Sequence, residues 1–117
     1  MDAAPKILII DDDPLHLKLY SLILQRKGFT TTSLLVENTS IMLPEDDKID
    51  LVLLDYKYRS GITAPEIAKK VREKWPSLQI VVLSDVMWMP EDMTTLANAF
   101  VRKGEPEQLV EKISEMF

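Results

Sequence analysis

Short apolar runs alternate with longer amphipathic stretches along the chain. The clearest run is Leu51 to Leu54, which lies between Asp50 and Asp55 and is followed by turn-forming residues at 58–61. A short run bounded in this way is typical of a strand buried on both faces of a sheet. The same pattern predicts further strands at residues 6–10, 30–36, 78–83 and 99–101.

The stretches between these runs have the spacing and the boundary residues of helices. The first helix is predicted to begin at Pro14 with Asp13 as its N-cap, and its recurring apolar positions are Leu15, Leu19, Leu22 and Ile23. A capping box, in which Thr63 precedes Glu66 by three residues, predicts another helix. Two more helices are expected from Pro90 and from Glu105, and residues 38–43 are expected to form a short, poor helix that begins at Asn38 or Thr39.

Strands that alternate with helices predict an α/β fold, in which a doubly wound, five-stranded parallel sheet carries helices on both faces. The chain has 117 residues, enough for one compact domain but not for two. Residues 1–117 are therefore expected to form a single domain.

Composition narrows the function classes. The net charge of −5 argues against direct nucleic-acid binding, which depends on basic contacts to phosphate. No apolar run is long enough to span a membrane, and the 46% apolar content excludes a disordered chain. The absence of cysteine excludes disulfides and thiolate chemistry, and is compatible with a cytoplasmic location.

Polar side chains follow four of the predicted strands at the point where each strand ends. Asp11 and Asp12 follow the first strand, Asp55 the third, Ser84 the fourth and Lys103 the fifth. The carboxyl ends of parallel strands share one edge of the sheet, and ligands bind at this edge in open α/β folds. These five residues are therefore expected to form one site.

The residue types at this edge suit phosphoryl chemistry. Clustered carboxylates repel one another unless a cation neutralises them, and Mg²⁺ prefers such oxygen ligands. Lys103 and Ser84 could contact phosphoryl oxygens, and Asp55 could attack phosphorus to form an acyl phosphate. Taken singly, each residue could also have no functional role. The acids could belong to a solvated turn with a helix cap, Ser84 could simply end its strand, and Lys103 could be an ordinary surface lysine.

Together and in this order, these motifs resemble the receiver domain of two-component response regulators, which has a flavodoxin-like fold with strand order 2-1-3-4-5. The resemblance covers nearly the whole chain. It is carried by the segments that end at Asp11-Asp12-Asp13-Pro14, Asp55, Ser84 and Lys103, and by Phe100 at the position of the switch aromatic residue.

The resemblance implies that Asp55 is a phosphoacceptor served by a histidine kinase or a phosphotransfer protein. It implies a Mg²⁺ cofactor held by Asp11, Asp12, Asp55 and the backbone carbonyl of Lys57. The domain would then be a signalling protein and not an enzyme, apart from its own phosphorylation and dephosphorylation.

The resemblance also implies a switch. Ser84 would contact the phosphoryl group, Phe100 would turn inward, and the face built from the fourth helix, the fifth strand and the fifth helix would change its partners. A C-terminal output domain outside this chain and a phosphorylation-dependent homodimer are further implications, without membrane or direct nucleic-acid binding.

Four positions depart from the family pattern. Tyr58 and Arg59 replace the usual Met-Pro after the acceptor, Asp85 replaces a small residue after the hydroxyl, and Gly104 replaces a frequent proline. Asp85 would repel an incoming phosphoryl group, and Lys57 could pair with Asp85 across the site. Phosphorylation by small-molecule donors is therefore expected to be slower than in a typical receiver.

Two other functions compete with this interpretation. A pseudo-receiver would use the same fold as a phosphorylation-independent interaction module. A haloacid-dehalogenase-like phosphatase also uses an aspartyl nucleophile with Mg²⁺, in an Asp-x-Asp motif at the first strand, but the short chain and the missing context of that motif disfavour it. Trp88 could pack over the helix predicted from Pro90 or form an exposed docking patch, and His16 is expected at the rim of the site.

Overall fold

The computed structural model describes residues 4–39, 41–45 and 48–117. In these residues five strands, three helices and one 3-10 turn follow one another along the chain: β1 (Lys6–Asp11), α1 (Pro14–Arg26), β2 (Thr30–Leu35), β3 (Leu51–Asp55), α2 (Ala64–Lys74), β4 (Gln79–Ser84), the 3-10 turn (Glu91–Met93), β5 (Ala99–Arg102) and α3 (Pro106–Glu115).

The strands form one sheet in the order β2-β1-β3-β4-β5, and every neighbouring pair is parallel. The predicted fold class and strand order are therefore confirmed. In the register of this sheet Asp55 lies beside Leu83, and Ser84 lies beside Arg102. The ends of β3, β4 and β5 are consequently close together at one edge.

Alternate residues of each central strand face opposite sides of the sheet. In β1, Ile7 and Ile9 join a core cluster with residues of α1 and α3, whereas Leu8 and Ile10 join a second cluster with residues of α2 and the 3-10 turn. All four are essentially inaccessible to solvent. This burial on both faces explains why the strands are continuous apolar runs.

The helix starts follow the predicted capping chemistry. The Asp13 carboxylate accepts a hydrogen bond from Leu15 N at 2.9 Å, with Pro14 at the first helical position. Thr63 and Glu66 form the expected capping box at the start of α2. The Asp13 cap begins α1 directly after Asp11 and Asp12, which fixes both carboxylates at the sheet edge.

The predicted buried face of α1 is wrong. Leu15, Leu19 and Leu22 are exposed, whereas Leu17 and Leu24 are buried against the sheet. The helix carries two leucine stripes with compatible spacing, and only the packing against the sheet selects between them.

The helix predicted from Pro90 is also wrong, because this segment forms a single 3-10 turn, Glu91–Met93. Thr94 and Thr95 follow immediately, and β-branched residues lower helix propensity. Arg72 of α2 donates to Leu96 O at 3.0 Å and thereby fixes the non-helical chain. The face that was expected to include a fourth helix therefore has a loop and a turn in its place.

Other predictions have mixed outcomes. The short helix predicted at residues 38–43 is wrong, because the residues described there are not helical; Ser40 lies outside the described part of the chain. In α3, Leu109 and Ile113 are buried as expected, whereas Phe117 is exposed and its ring lies 6.0 Å from that of Phe29. In the ranges described, no helix is both long and apolar enough to cross a bilayer.

Candidate functional site: an acidic cluster at the carboxyl edge

Three carboxylates meet at the carboxyl ends of β1 and β3. Asp11, Asp12 and Asp55 each place an oxygen within 4.8 Å of the others. Asp11 exposes only 1% of its surface and Asp55 only 4%, whereas Asp12 is half-buried. The structure thus brings together the acids that the strand ends were expected to deliver, and their oxygens form a donor set that suits a hard divalent cation.

The close approach of these carboxylates is electrostatically unfavourable. Burial and, to a lesser degree, the neighbouring charge of Asp55 raise the pKa of Asp11 to about 6, although hydrogen bonds from backbone N–H groups act to lower it. One of these bonds runs from Asp13 N to Asp11 Oδ1 at 3.1 Å. A bound cation would offset this repulsion, which is the physical reason to regard the cluster as a metal site.

Lys103 supplies one positive charge to the cluster. Its Nζ lies 2.7 Å from Asp55 Oδ1, and the lysine side chain is 17% exposed. Burial alone lowers the pKa of Lys103, but the hydrogen bond and the charge of Asp55 raise it above its usual value. Gly104 follows with φ of +85°, a conformation that favours glycine, in the turn that comes after β5.

Ser84 is almost completely buried at the end of β4. Its carbonyl accepts from Lys103 N at 2.8 Å, and the neighbouring Leu83 O accepts from Tyr56 N at 3.0 Å. Its hydroxyl accepts a long hydrogen bond of 3.4 Å from Val86 N. The ends of β3, β4 and β5 are therefore linked by backbone hydrogen bonds around Ser84.

The unusual loop after Asp55 is attached to β1. Tyr58 OH donates to Ile10 O at 3.2 Å, and Arg59 N donates to Asp12 Oδ2 at 2.8 Å. Burial and the nearby charge of Asp55 raise the pKa of Tyr58 well above its usual value, so the phenol stays a donor. Tyr58 and Arg59 thus close one side of the acidic cluster.

An open depression of about 290 Å³ leads to the cluster. Lys57 is exposed along its wall, together with Asp12, Asp55 and Lys103. Asp85 is exposed as well, and its charge contributes to the raised pKa of Lys103. Of the ion pairs in the described residues, none joins Lys57 to Asp85.

Phe100 lies on β5, outside the cluster. It is half-buried and lines a groove of about 450 Å³ between the loop after β4 and α3. Met87 also lines this groove, and Met87 and Trp88 are 64% and 72% exposed. The expected packing of Trp88 over a helix is therefore wrong, and an exposed apolar loop, Val86–Trp88, is present instead.

Three polar contacts near this edge were not anticipated from the sequence. His16 Nδ1 lies 3.4 Å from Asp11 Oδ2, and its Nε2 lies 3.6 Å from Asp13 Oδ2. The i,i+3 spacing of Asp13 and His16 could have indicated the contact between these two residues. Tyr56 OH donates to the carboxylate of Asp92 at 2.9 and 3.1 Å, and no sequence signal connects these two positions.

Comparison with known proteins agrees with this geometry. The family model of the response regulator receiver domain matches residues 7–114. A search of curated protein sequences finds no match. Among solved structures, the response regulator TrrA of Thermotoga maritima in complex with Mg²⁺-BeF is 26% identical with a TM-score of 0.80, over 97% of this chain and 99% of that chain.

Two further structures are similar. A CheY-like receiver domain protein of Methanospirillum hungatei is 24% identical with a TM-score of 0.79, over 97% of this chain and 93% of that chain. A chain from the complex of histidine kinase ThkA with TrrA is 25% identical with a TM-score of 0.75, over 97% of this chain and 98% of that chain. Because the family model spans nearly all of the sequence, the chain belongs to the response regulator receiver domain family.

Proposed function

We propose that Asp55 accepts a phosphoryl group from a phosphohistidine of a histidine kinase or a phosphotransfer protein. The observation that carries this proposal is the position of Asp55, which lies between the Lys103 ammonium at 2.7 Å and the carboxylates of Asp11 and Asp12. A carboxylate in this setting is both accessible from the depression and close to groups that stabilise charge on a transferring phosphoryl group.

Asp11, Asp12, Asp55 and the backbone carbonyl of Lys57 would hold Mg²⁺. When bound, the cation would neutralise charge on the phosphoryl oxygens. An oxygen of Asp55 forms the new bond to phosphorus as the phosphorus–nitrogen bond of the phosphohistidine breaks, and the released electron pair stays on the imidazole nitrogen. Lys103 then pairs with the phosphoryl oxygens, and the Ser84 hydroxyl donates to one of them.

Recruitment of Ser84 would change the surface beyond the site. The hydroxyl now holds Val86 N only through a 3.4 Å contact, which a shift of Ser84 towards the phosphoryl group would break. Phe100 would turn inward, and the groove that it lines with Met87 would change shape. The output surface in this proposal consists of the loop Val86–Trp88, β5 and α3.

The proposal is tested with beryllofluoride, a phosphoryl analogue, in a Trp75→Phe protein in which Trp88 is the only tryptophan. Beryllofluoride with Mg²⁺ should change the Trp88 emission saturably, and omission of Mg²⁺ should abolish the change. Asp55→Asn should also abolish it, whereas Asp85→Asn, which removes an exposed carboxylate, should preserve it. An identical response in Asp55→Asn would contradict the assignment.

A pseudo-receiver is the competing function, and two observations favour it. Arg59 N already occupies Asp12 Oδ2 at 2.8 Å, and the exposed Asp85 carboxylate follows Ser84 directly. A protein that responds neither to beryllofluoride nor to acetyl phosphate, while its fold is intact, would be an interaction module that does not use Asp55.

A further inference from the structure

Tyr56 connects the residue after the acceptor to the segment that replaces the expected fourth helix. Its backbone N–H is held by Leu83 O at 3.0 Å, and its ring packs against the core cluster on the α2 side. Its hydroxyl donates to both oxygens of Asp92, at 2.9 and 3.1 Å. Because one end of this side chain is fixed to the sheet, the hydroxyl can serve as an anchor for Asp92.

Asp92 lies in the middle of the 3-10 turn Glu91–Met93. Met93 is completely buried, so the turn is attached to the core on one side. The turn directly follows the loop of residues 85–90, which carries the exposed Met87 and Trp88. The other end of this loop is held by the contact between Val86 N and Ser84 Oγ. The loop is thus restrained at both ends by residues next to the proposed phosphorylation site.

We propose that Tyr56 is a positioning residue, whose hydrogen bond to Asp92 holds the loop of residues 85–90 in its unphosphorylated arrangement. This inference rests on the proposed function only in one respect, that the state of Asp55 is what moves the loop. Tyr56 lines a different depression from Asp55, and its hydroxyl is bonded to Asp92, which is not part of the acidic cluster.

The energetic consequence follows from linkage. A contact that exists only in the unphosphorylated arrangement lowers the affinity of any ligand that binds better to the other arrangement. By linkage, the bound ligand weakens the contact by the same free energy. This contact is exposed, so its loss is comparable to that of an ordinary hydrogen bond and should tighten binding of a phosphoryl analogue by about threefold to tenfold. The same loss should free Trp88 in the protein without any ligand.

The first experiment measures acrylamide quenching of Trp88 in the unliganded Trp75→Phe protein. In the part of the chain that is described, Trp75 Nε1 has no hydrogen-bond partner, so this background removes no bond. Tyr56→Phe and Asp92→Ala should increase quenching equally, and the double variant should add nothing. Asp92→Asn, which keeps an acceptor, should restore the parent value. Additive effects of the two single variants would overturn the proposal.

Thr94→Val is the matched control. Thr94 OH donates to Glu91 O at 2.9 Å in the same turn but has no link to Tyr56. Its loss should leave Trp88 quenching unchanged, and an effect as large as that of Tyr56→Phe would show that any weakened turn frees the loop.

The second experiment measures the apparent Kd of beryllofluoride with Mg²⁺ by Trp88 emission. Tyr56→Phe and Asp92→Ala should lower this Kd by about threefold to tenfold, whereas Thr94→Val should not. An unchanged or raised Kd in both variants would overturn the coupling. If the parent protein binds no beryllofluoride, the proposed function fails, and the quenching comparison still decides whether Tyr56 restrains the loop.

Discussion

Lys103 Nζ and Asp55 Oδ1 lie 2.7 Å apart although β3 and β5 are not neighbours in the sheet. The pair bridges the end of β4, where Ser84 is buried. Among the ion pairs of the described residues, this is the one that places a lysine ammonium group against the carboxylate cluster. It therefore links the stability of the site to the chemistry that we propose for it.

Removal of this ammonium group should destabilise the fold. Lys103→Met leaves Asp55 buried beside Asp11 without its close cation, and we expect the free energy of unfolding to fall by about 2–3 kcal/mol at neutral pH without Mg²⁺. Mg²⁺ should recover part of this loss, because it binds the folded cluster. Urea unfolding measures both effects.

Lys112→Met is the matched control, since Lys112 pairs with Glu115 at 3.3 Å on the exposed side of α3. Its effect should stay near 0.5 kcal/mol or below, that is, about the value of an exposed helical ion pair. If the two variants lost the same free energy of unfolding, the Lys103 ammonium group would not be needed to offset the negative charge around Asp55.

Asp11 should make stability depend on pH in an unusual direction. Its pKa is about 6 in the folded protein and 3.8 in an unperturbed chain, so the folded state binds more protons between these values. The contribution of Asp11 to the free energy of unfolding is therefore lost as pH rises from about 4 to 6, by up to about 3 kcal/mol.

Asp11→Asn isolates this contribution. In Mg²⁺-free buffer, the stability of Asp11→Asn relative to the parent should increase between pH 4 and 6 and then level off. Added Mg²⁺ should shift this step to lower pH, because the cation favours the ionised carboxylate. Urea unfolding at a series of pH values checks the profile, and a relative stability that declines over this range would contradict it.

Asp85 should slow phosphorylation. Its exposed carboxylate follows Ser84 and acts electrostatically on Lys103, so it also acts on an anion that approaches Asp55. Asp85→Ala should raise the rate with acetyl phosphate by roughly threefold at low salt, and less at high salt because of screening. A rate that is unchanged or lower in Asp85→Ala would reject this explanation.

The location of the site could be predicted because it depends on topology alone. Once the apolar runs are recognised as parallel strands, Asp11, Asp55 and Ser84 must lie at one edge, whatever the loops do. The caps at Asp13 and Thr63 were equally predictable, since they depend on contacts over two or three residues.

The failures have a different cause, because each involves packing between distant segments. After Pro90, the low helix propensity of Thr94 and Thr95 adds to this effect. Leu15 and Leu17 have the same chemistry, and only the position of α1 on the sheet makes one exposed and the other buried. The segment after Pro90 has apolar residues at helical spacing, but Arg72 of the distant helix α2 donates hydrogen bonds to its Leu96 carbonyl. The Tyr56–Asp92 contact spans 36 positions and has no local signature.

Arg72 should contribute strongly to this part of the fold. Its guanidinium donates to Leu96 O at 3.0 Å, to Leu78 O, and to Asn98 Oδ1 at 2.6 Å. Arg72→Met keeps the aliphatic stem but removes these bonds, and it should lower the free energy of unfolding by about 2–3 kcal/mol.

Hydrogen exchange locates this effect. Asn98 Oδ1 also accepts from Ile80 N at 2.8 Å, so exchange of the Ile80 amide should accelerate in Arg72→Met. Lys70→Met, a change at an exposed position of the same helix, should alter neither quantity. Loss of stability without faster exchange at Ile80 would place the contribution of Arg72 elsewhere.

The most direct test of the account is the intact mass of the protein after incubation with Mg²⁺ and acetyl phosphate. We predict the gain of one phosphoryl group per chain, with the modified residue identified as Asp55 by tandem mass spectrometry after borohydride reduction. Asp55→Asn should gain none, and Asp85→Asn should gain at least as much as the parent. A folded parent protein that gains no phosphoryl group, or an Asp55→Asn protein that gains one, would contradict the account.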